Sequence, residues 1–349
     1  MTTMPLASRL VGKIIKNKWE VLEKRVKTLT DSSGAFSSCY KVRNIENGQE
    51  GFLKAFNYQY AFNTLSATKS SADFLKELTS NYVYERDLLI FCGQNKMSRV
   101  VTAIDHGEYK EDGEIFDVPY LVFEIADGSL KNIRNIGNPD LAWKLGAFHG
   151  FLVGLSQLHG QKIVHQDIKP SNILIFGRKV AKLSDLGNAT QLINRSPMWD
   201  MDYHCGDLRF CPIELLYGYF SSDWETRRLG ADLFMAAGIM TYMITDSILS
   251  SLIVANLPDI YRPGKFGGTF EQVKPHLMAA HYKTLDEIAQ RIHEKIRQDL
   301  LEVIAQLSHP IPEERGNPDN IRTTVSKYSL HRYISIIDRL AKTMEYSKL

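Results

Sequence analysis

The chain has 349 residues, of which 44% are hydrophobic, so it can fill one large two-lobed unit or two ordinary domains. Its 42 basic residues nearly balance 40 acidic ones, and a net charge of +2 provides no overall field to attract nucleic acid or an anionic membrane. The four cysteines include no C-x-x-C pair and are too few for a disulfide framework, which suits a reducing compartment. With no signal-peptide core and no apolar run of the about 18 to 20 residues that spans a bilayer, we expect a cytoplasmic protein without nucleic-acid or membrane partners.

The first third of the chain alternates between short β-rich runs and turn residues. Residues 19–42 and 51–56 contain such runs, separated by Gly, Ser, Asn and Asp, and predict antiparallel strands with hairpin turns. Apolar residues then recur at helical spacing over 71–92. Two further strands are predicted over 100–109 and 118–126. Together these elements predict a small sheet with one helix.

The rest of the chain is mostly helical in pattern, apart from two short strands over 172–176 and 179–184 around a Gly-Arg turn. Thr284 and Glu287 have the spacing of a capping box at the start of a long amphipathic helix. The apolar stretch 233–257 is predicted as a buried core helix. The other predicted helices cover 141–158, 284–307 and 329–346.

One polar segment has the composition that phosphoryl transfer needs. Transfer from ATP requires a cradle and a cation for the phosphates, carboxylate and amide ligands for Mg²⁺, and a carboxylate beside the attacking hydroxyl. The segment 165-HQDIKPSN-172 contains Asp167, followed by Lys169 and Asn172, and Asp185 lies in an Asp-Leu-Gly tripeptide after the predicted hairpin. An H-x-D tripeptide alone is common and usually structural, but this order and spacing are far more specific.

In these motifs the chain resembles the eukaryotic-like protein kinases of the Ser/Thr type, from about Trp19 to the last helix. The resemblance implies an α+β, two-lobed protein kinase fold, with a small antiparallel β-sheet N-lobe carrying helix αC, a large α-helical C-lobe, and ATP between them. It divides the chain into an N-terminal extension over 1–18, the N-lobe and hinge over 19–126, and the C-lobe over 127–349.

The resemblance also implies roles for the polar residues of the motif. Asp167 would accept or orient the proton of the substrate hydroxyl, and Lys169 would contact the γ-phosphate. Asn172 and Asp185 would bind Mg²⁺, with Mn²⁺ as an alternative metal. A lysine two places after the aspartate is typical of Ser/Thr-specific members. The implied reaction transfers the γ-phosphoryl group of ATP to a protein hydroxyl.

The resemblance places further functional residues upstream of the motif. The resemblance implies that Lys54 grips the α- and β-phosphates. Lys54 lies in an apolar run where an unpaired charge would be costly, which argues against a solvated strand lysine. Glu85 would be its ion-pair partner, although the interval is long and predicts an extra segment over 58–71 before αC. The residues implied in nucleotide binding are Ser32, Gly34, Ser37, Cys39, Phe52, Lys54, Phe123, Glu124, Ala126 and Leu174.

Three residues of the C-lobe match structural positions of the same family. Glu214 fits the glutamate that ends the activation segment, and Arg315 fits its buried partner. Asp232 fits the aspartate that organises the catalytic loop. These matches extend the resemblance over the whole C-lobe.

The sequence departs from the family pattern in four places. The phosphate loop, 32-SSGAFS-37, keeps one of three glycines, and Phe52 stands where a small residue usually covers the adenine. Asp207 replaces a threonine, which predicts a more acidic substrate side. Gln166 replaces the arginine that pairs with a phosphate on the activation segment. Because a glutamine cannot neutralise a phosphate, we predict that the segment over 185–214 does not require phosphorylation.

Two alternatives to an active protein kinase follow from the same residues. The altered phosphate loop and Phe52 are compatible with a pseudokinase that binds nucleotide weakly and acts as a scaffold. The H-x-D-x-x-x-x-N spacing also occurs in small-molecule kinases of the aminoglycoside or choline type. Lys169 and the Glu214/Arg315 pair favour a protein substrate.

Overall fold

The chain forms two compact units, and the division in sequence falls between Ala126 and Asp127. Ser98–Val100 belong to the second unit, and Ser196 belongs to the first. Each unit is built around its own secondary structure. The computed structural model describes residues 4–25, 37–65, 70–132, 139–196, 200, 205–321 and 326–347.

The first unit contains a six-stranded sheet in the order β1-β2-β3-β4-β6-β5, in which every neighbouring pair is antiparallel. Two helices, α1 over Tyr58–Leu65 and α2 over Ser71–Gln94, connect β4 to β5. The helix predicted over 71–92 is confirmed as α2, and strands lie where they were predicted among the described residues, but the prediction of one helix is wrong because α1 precedes α2. Residues 26–36 of the predicted stretch 19–42 lie outside the described residues. The strand bounds are β1 Ile14–Ile15, β2 Trp19–Arg25, β3 Ser37–Asn44, β4 Glu50–Phe56, β5 Ala103–Tyr109 and β6 Val118–Phe123.

The two faces of β4 lie in different environments. Gly51, Leu53 and Ala55 are buried, whereas Phe52 and Lys54 are half-buried, as expected when successive side chains alternate across a strand. The buried face packs into a hydrophobic core with the neighbouring strands. The other face carries the residues that the sequence implies in nucleotide binding.

The N-terminal segment contributes to that core. Leu6, Leu10 and Ile15 are almost fully buried in it, and the hydroxyl of Tyr40 donates a 2.7 Å hydrogen bond to the carbonyl of Ala7. The residues predicted as an extension therefore pack against the sheet rather than standing apart from it. Their apolar side chains cover the buried face of the sheet. Burial of apolar surface away from water is the dominant stabilising contribution in such a unit.

A half-buried carboxylate, that of Asp105, connects the start of the chain to β5. Asp105 Oδ2 accepts 2.9 Å hydrogen bonds from Trp19 Nε1 and from Lys18 Nζ, and its Oδ1 accepts from the backbone N–H of His106. Burial raises the pKa of Asp105, but these hydrogen bonds outweigh it and lower the pKa to about 2. The ionised carboxylate thus links β2 to β5 at opposite parts of the sheet.

The second unit is mainly helical, with a three-stranded antiparallel sheet in the order β10-β9-β7 and a two-stranded sheet of β8 and β11. Helix α4 is buried on nearly all sides and forms its centre. The strands are β7 Gly128–Ser129, β8 Ile163–Val164, β9 Ile173–Phe176, β10 Val180–Leu183 and β11 Thr190–Gln191. The helices are α3 Leu141–Gly160, α4 Trp224–Thr245, α5 Leu249–Ala255, α6 Phe270–Ala289, α7 Glu294–Leu307, α8 Pro318–Ile321 and α9 His331–Tyr346.

The prediction of one helix over 284–307 is wrong, because α6 ends at Ala289 and α7 begins at Glu294. The apolar stripe continues from α6 into α7, so the periodicity of the sequence does not reveal the break between the two helices. Thr284 is not a cap: its buried hydroxyl donates to the carbonyl of Ala280 inside α6. The capping box lies instead at Thr269, before the first residue of α6.

The apolar stretch 233–257 is also divided, since Asp246 adopts a left-handed conformation with φ of 62° and ends α4. Within the described residues, no single helix is long and apolar enough to cross a membrane. Helices α4 and α5 meet the length and composition criterion only as a pair bent by 81°.

Candidate active site

In the first unit, the structure brings together Lys54 on β4 and Glu85 on α2. Lys54 Nζ lies 2.8 Å from Glu85 Oε1, and the glutamate is 5% exposed. Helix α2 is held against the sheet by Tyr82, whose hydroxyl donates to the carbonyl of Gly107 on β5. A lysine and a carboxylate paired in this way keep the lysine charged and extended from the strand.

The extra segment before α2 contains helix α1. Tyr58 anchors α1 on α2, because its hydroxyl donates to the carbonyl of Leu78. Ser70 then caps α2, with its side-chain oxygen accepting from the backbone N–H of Asp73. The long interval between Lys54 and Glu85 is thus taken up by a helix and a cap before α2 begins.

The strand register places further predicted nucleotide-binding residues on the face of Lys54. Cys39 lies directly opposite Lys54, and Phe52 lies opposite Phe123. Ser37 is paired with Phe56 at the start of β3. Since the side chains of directly opposed residues share one face of a sheet, the rings of Phe52 and Phe123 lie on the same face as Lys54.

The remaining predicted nucleotide-binding residues are not part of that strand arrangement. Glu124 and Ala126 follow β6 and are half-buried, and Leu174 is a half-buried residue of β9 in the second unit. Ser32 and Gly34 lie outside the described residues.

The catalytic loop of the second unit surrounds Asp167 with hydrogen-bond donors. Asp167 Oδ2 accepts from Lys169 Nζ at 2.8 Å and from Asn172 Nδ2 at 3.2 Å. Asn172 Nδ2 also donates to the carbonyl of Asp167 at 2.9 Å, closing a tight turn. Burial raises the pKa of Asp167, and the neighbouring Lys169 opposes this effect without cancelling it.

The other carboxylate oxygen, Asp167 Oδ1, is buried and has no hydrogen-bond partner in the described part of the chain. It faces the backbone of Gly206, whose N–H donates to the carbonyl of Gln166 at 3.0 Å. A Cβ atom at residue 206 would lie 2.4 Å from Asp167 Cγ and 2.5 Å from Oδ1. Only glycine lets the chain pass this close to the carboxylate, and no sequence motif pointed to that contact.

Asp232 on α4 organises the loop from below. Its Oδ2 accepts from the backbone N–H of His165 at 2.8 Å, and its Oδ1 accepts from the backbone N–H of Gln166 at 2.9 Å. Gln166 has a φ of 62°, a left-handed conformation that costs a non-glycine residue on the order of 1 kcal/mol or more. The two hydrogen bonds to a fully buried carboxylate hold this conformation, so the predicted organising role matches the geometry.

The predicted metal ligands lie on adjoining segments. Ser184 donates to the carbonyl of Asn172 through both its backbone N–H and its hydroxyl at 2.9 Å, and Asp185 follows directly. The Nδ2 of Asn172 donates to Asp167, and its Oδ1, which accepts a 3.4 Å hydrogen bond from the hydroxyl of Ser171, is the atom that could bind a metal. One carboxylate and one amide oxygen suit Mg²⁺, which prefers oxygen ligands. The described residues contain no group of three or more His, Cys, Asp and Glu side chains arranged for a metal.

The side chain of Gln166 makes a contact that the sequence did not predict. Its Nε2 donates to the carbonyl of Asn188 at 2.8 Å, three residues after Asp185. Asn188 in turn lies beside the catalytic aspartate, with its Nδ2 3.4 Å from Asp167 Oδ2. An asparagine in such a place is usually a turn former, so the residue pattern offered no reason to expect these contacts from Asn188.

The expectation that Asp207 makes the substrate side more acidic needs correction. Arg209 donates to both oxygens of Asp207, from Nε at 2.9 Å and from Nη2 at 2.7 Å. Burial raises the pKa of Asp207, but the hydrogen bonds from Arg209 outweigh it and leave the pKa below its usual value. The carboxylate is ionised, and Arg209 neutralises its charge. The sequence analysis considered Asp207 alone and did not predict this pair.

Glu214 and Arg315 form the buried pair that the resemblance implied. Arg315 Nη1 and Nη2 donate to Glu214 Oε1 and Oε2 at 2.9 and 2.8 Å, and Nη1 also donates to the carbonyl of Gly230. Both side chains are almost inaccessible to water. The bidentate geometry fixes the end of the activation segment against α4.

Comparison with known proteins agrees with this arrangement. Residues 32–324 match the model of the protein kinase domain. The chain is 26% identical over 203 residues to serine/threonine-protein kinase chk-1 of Caenorhabditis elegans, covering 57% of this chain and 36% of that protein. It is 26% identical over 271 residues to a probable cell division protein kinase of Encephalitozoon cuniculi, covering 72% of this chain and 79% of that protein.

A third relative, serine/threonine-protein kinase par-4 of Caenorhabditis elegans, is 26% identical over 187 residues, covering 50% of this chain. The chain spans only 36% and 28% of the lengths of the two nematode relatives. The predicted α+β, two-lobed protein kinase fold is confirmed by the match to the domain model. Because that match includes most of the sequence, the chain belongs to the protein kinase family.

Proposed function

We propose that the protein is an active, Mg²⁺-ATP-dependent kinase that phosphorylates serine or threonine hydroxyls of proteins. The observation that carries the proposal is the state of Asp167: one carboxylate oxygen is held by Lys169 and Asn172, and the other has no partner among the described residues. A carboxylate held in this way is suited to orient a hydroxyl and receive its proton.

Each remaining group has a defined part in the proposed reaction. Lys54, kept charged by Glu85, would bind phosphate oxygens of ATP. Lys169 would contact the γ-phosphoryl group, since its Nζ lies beside Asp167, the proposed base. Bound Mg²⁺, held by Asn172 and Asp185, would supply positive charge for the phosphate oxygens.

We also propose that activity does not require phosphorylation of the activation segment. The support is the hydrogen bond from Gln166 Nε2 to the carbonyl of Asn188, which ties the start of this segment to the catalytic loop with a neutral donor. Turnover should therefore survive phosphatase treatment. A collapse of kcat after treatment, restored by rephosphorylation within the segment, would refute this part of the proposal.

Two variants test the catalytic assignment. Asp167→Asn keeps the shape of the side chain but removes the base, so ATP binding should remain and turnover should fall by about 10²-fold or more. Asp185→Ala removes a metal ligand, so productive binding of Mg²⁺-ATP should be lost. The measurements are ADP release with a Ser/Thr peptide library and a fluorescent-ATP titration with and without Mg²⁺.

The result also separates kinase from scaffold. Mass spectrometry after incubation with ATP would detect phosphate on substrate or on the protein itself and would identify the modified residue type. Nucleotide binding without any ADP release in the unmodified protein would favour a pseudokinase. Near-normal activity in both variants would reject the assigned roles of Asp167 and Asp185.

A further inference from the structure

Asn188 contacts the catalytic loop twice, although no step of the proposed chemistry uses it. Its backbone carbonyl accepts from Gln166 Nε2 at 2.8 Å, and its side-chain Nδ2 lies 3.4 Å from Asp167 Oδ2. The residue ends the short turn Leu186–Asn188 and is half-buried. Both contacts fall on neighbouring residues of one loop, so Asn188 faces the base and the residue before it.

The side-chain contact completes a set of three donors around one carboxylate oxygen. Lys169 Nζ and Asn172 Nδ2 approach Asp167 Oδ2 from within the catalytic loop, whereas Asn188 approaches from the segment after β10. Donors on a single oxygen fix the rotation of a carboxylate, and its other oxygen has no donor among the described residues.

The backbone contact holds Asn188 in place. Gln166, which donates the hydrogen bond to the carbonyl of Asn188, is itself held in place, because Asp232 accepts from its backbone N–H and the residue is 2% exposed. A donor fixed at its own backbone loses little entropy when its side chain forms a hydrogen bond. The position of the Asn188 amide is therefore set by Gln166.

We propose that Asn188 is a positioning residue that, held by Gln166, fixes the orientation of Asp167. The inference rests on the proposed kinase function. It adds a link between Asp167 and the activation segment that is made by neutral amide groups alone. The pair acts through Asp167.

The decisive experiment compares Asn188→Leu, which keeps the side-chain size but removes the donor, with Asn188→Asp, which adds a carboxylate beside Asp167. We expect kcat to fall by about tenfold in Asn188→Leu, with little change in KM for ATP, because one hydrogen bond to a charged group is lost. Asn188→Asp should lower kcat further, because it removes the donor and also places a second carboxylate beside Asp167. A merely structural role would change KM for ATP as well as kcat.

The matched control is Gln191→Leu, which removes an amide of the same segment that donates to the carbonyl of Gln161 and does not contact Asp167. It should keep the kcat and the KM for ATP of the unmodified protein. If Asn188→Leu folds poorly in a thermal melt, Asn188→Ala serves in its place, since a half-buried side chain leaves little cavity.

The link to Gln166 is tested by combining variants. Gln166→Leu removes the backbone contact, and Gln166→Leu/Asn188→Leu should lose little more than the more impaired single variant, because both act through one contact. Fully additive losses would overturn the coupling, and an unchanged kcat in Asn188→Leu would overturn the positioning role. Absence of ADP release in the unmodified protein would instead refute the kinase function on which both rest.

Discussion

The close approach of Gly206 to Asp167 predicts that Gly206→Ala displaces the proposed catalytic carboxylate, even though it adds only one methyl group. The new Cβ would lie 2.4 Å from Asp167 Cγ, whereas ordinary contacts begin at 3.4 Å, so the segment or the carboxylate must move by about 1 Å. A displacement of about 1 Å at a reacting group can cost about 10²-fold in rate, and an overpacked contact costs about 1 to 3 kcal/mol in stability.

The assay for Gly206→Ala is kcat at saturating ATP and peptide, together with urea unfolding. We expect a loss of between 10-fold and 10²-fold in kcat with the variant still folded at the assay temperature. Gly146→Ala in α3 is the matched control, because its Cβ would meet no atom within 4 Å. A kcat for Gly206→Ala within threefold of the unmodified protein would refute the argument that this contact sets the position of Asp167.

Three further outcomes follow from ion pairs in the structure. Arg315→Leu should lower the free energy of unfolding by about 3 to 5 kcal/mol, because it leaves Glu214 buried and unpaired; denaturant titration measures it, and a loss below 1 kcal/mol would contradict it. Asp105, with its pKa lowered from 3.8 to about 2, should stabilise the fold by about 2 kcal/mol above pH 4 and lose this as pH falls through 2; acid unfolding of Asp105→Asn should lack that pH dependence. Glu85→Gln should raise KM for ATP about tenfold or more by weakening the hold on Lys54, and an unchanged KM in steady-state kinetics would count against that role.

Much of the site was predictable because its polar groups are local in sequence. Asp167, Lys169 and Asn172 lie within six residues, and their mutual hydrogen bonds follow from one tight turn. Lys54 was predictable for another reason: a charge in an apolar strand needs a partner, and the structure supplies Glu85 at 2.8 Å.

The unpredicted contacts share a different property, since each joins a side chain to a backbone group or to a residue without a motif. The bond from Gln166 to the carbonyl of Asn188 depends on a left-handed φ at Gln166, which no pattern encodes. The role of Gly206 was not predicted, because it depends on the lack of a Cβ atom at a close contact and not on a functional group. The break before Glu294 was missed because burial on both sides preserves the apolar period.

The residue at position 166 connects the local geometry to regulation. It is 2% exposed, and the Asp232 carboxylate beneath it already accepts hydrogen bonds from two backbone N–H groups and lies 3.0 Å from His159 Nε2. A guanidinium buried here would need a further anion, because an uncompensated buried charge costs several kcal/mol. Glutamine buries a neutral amide instead, and the carbonyl of Asn188 satisfies its donor at 2.8 Å. This neutral hydrogen bond supports the proposal that the loop does not need a phosphate to stabilise it.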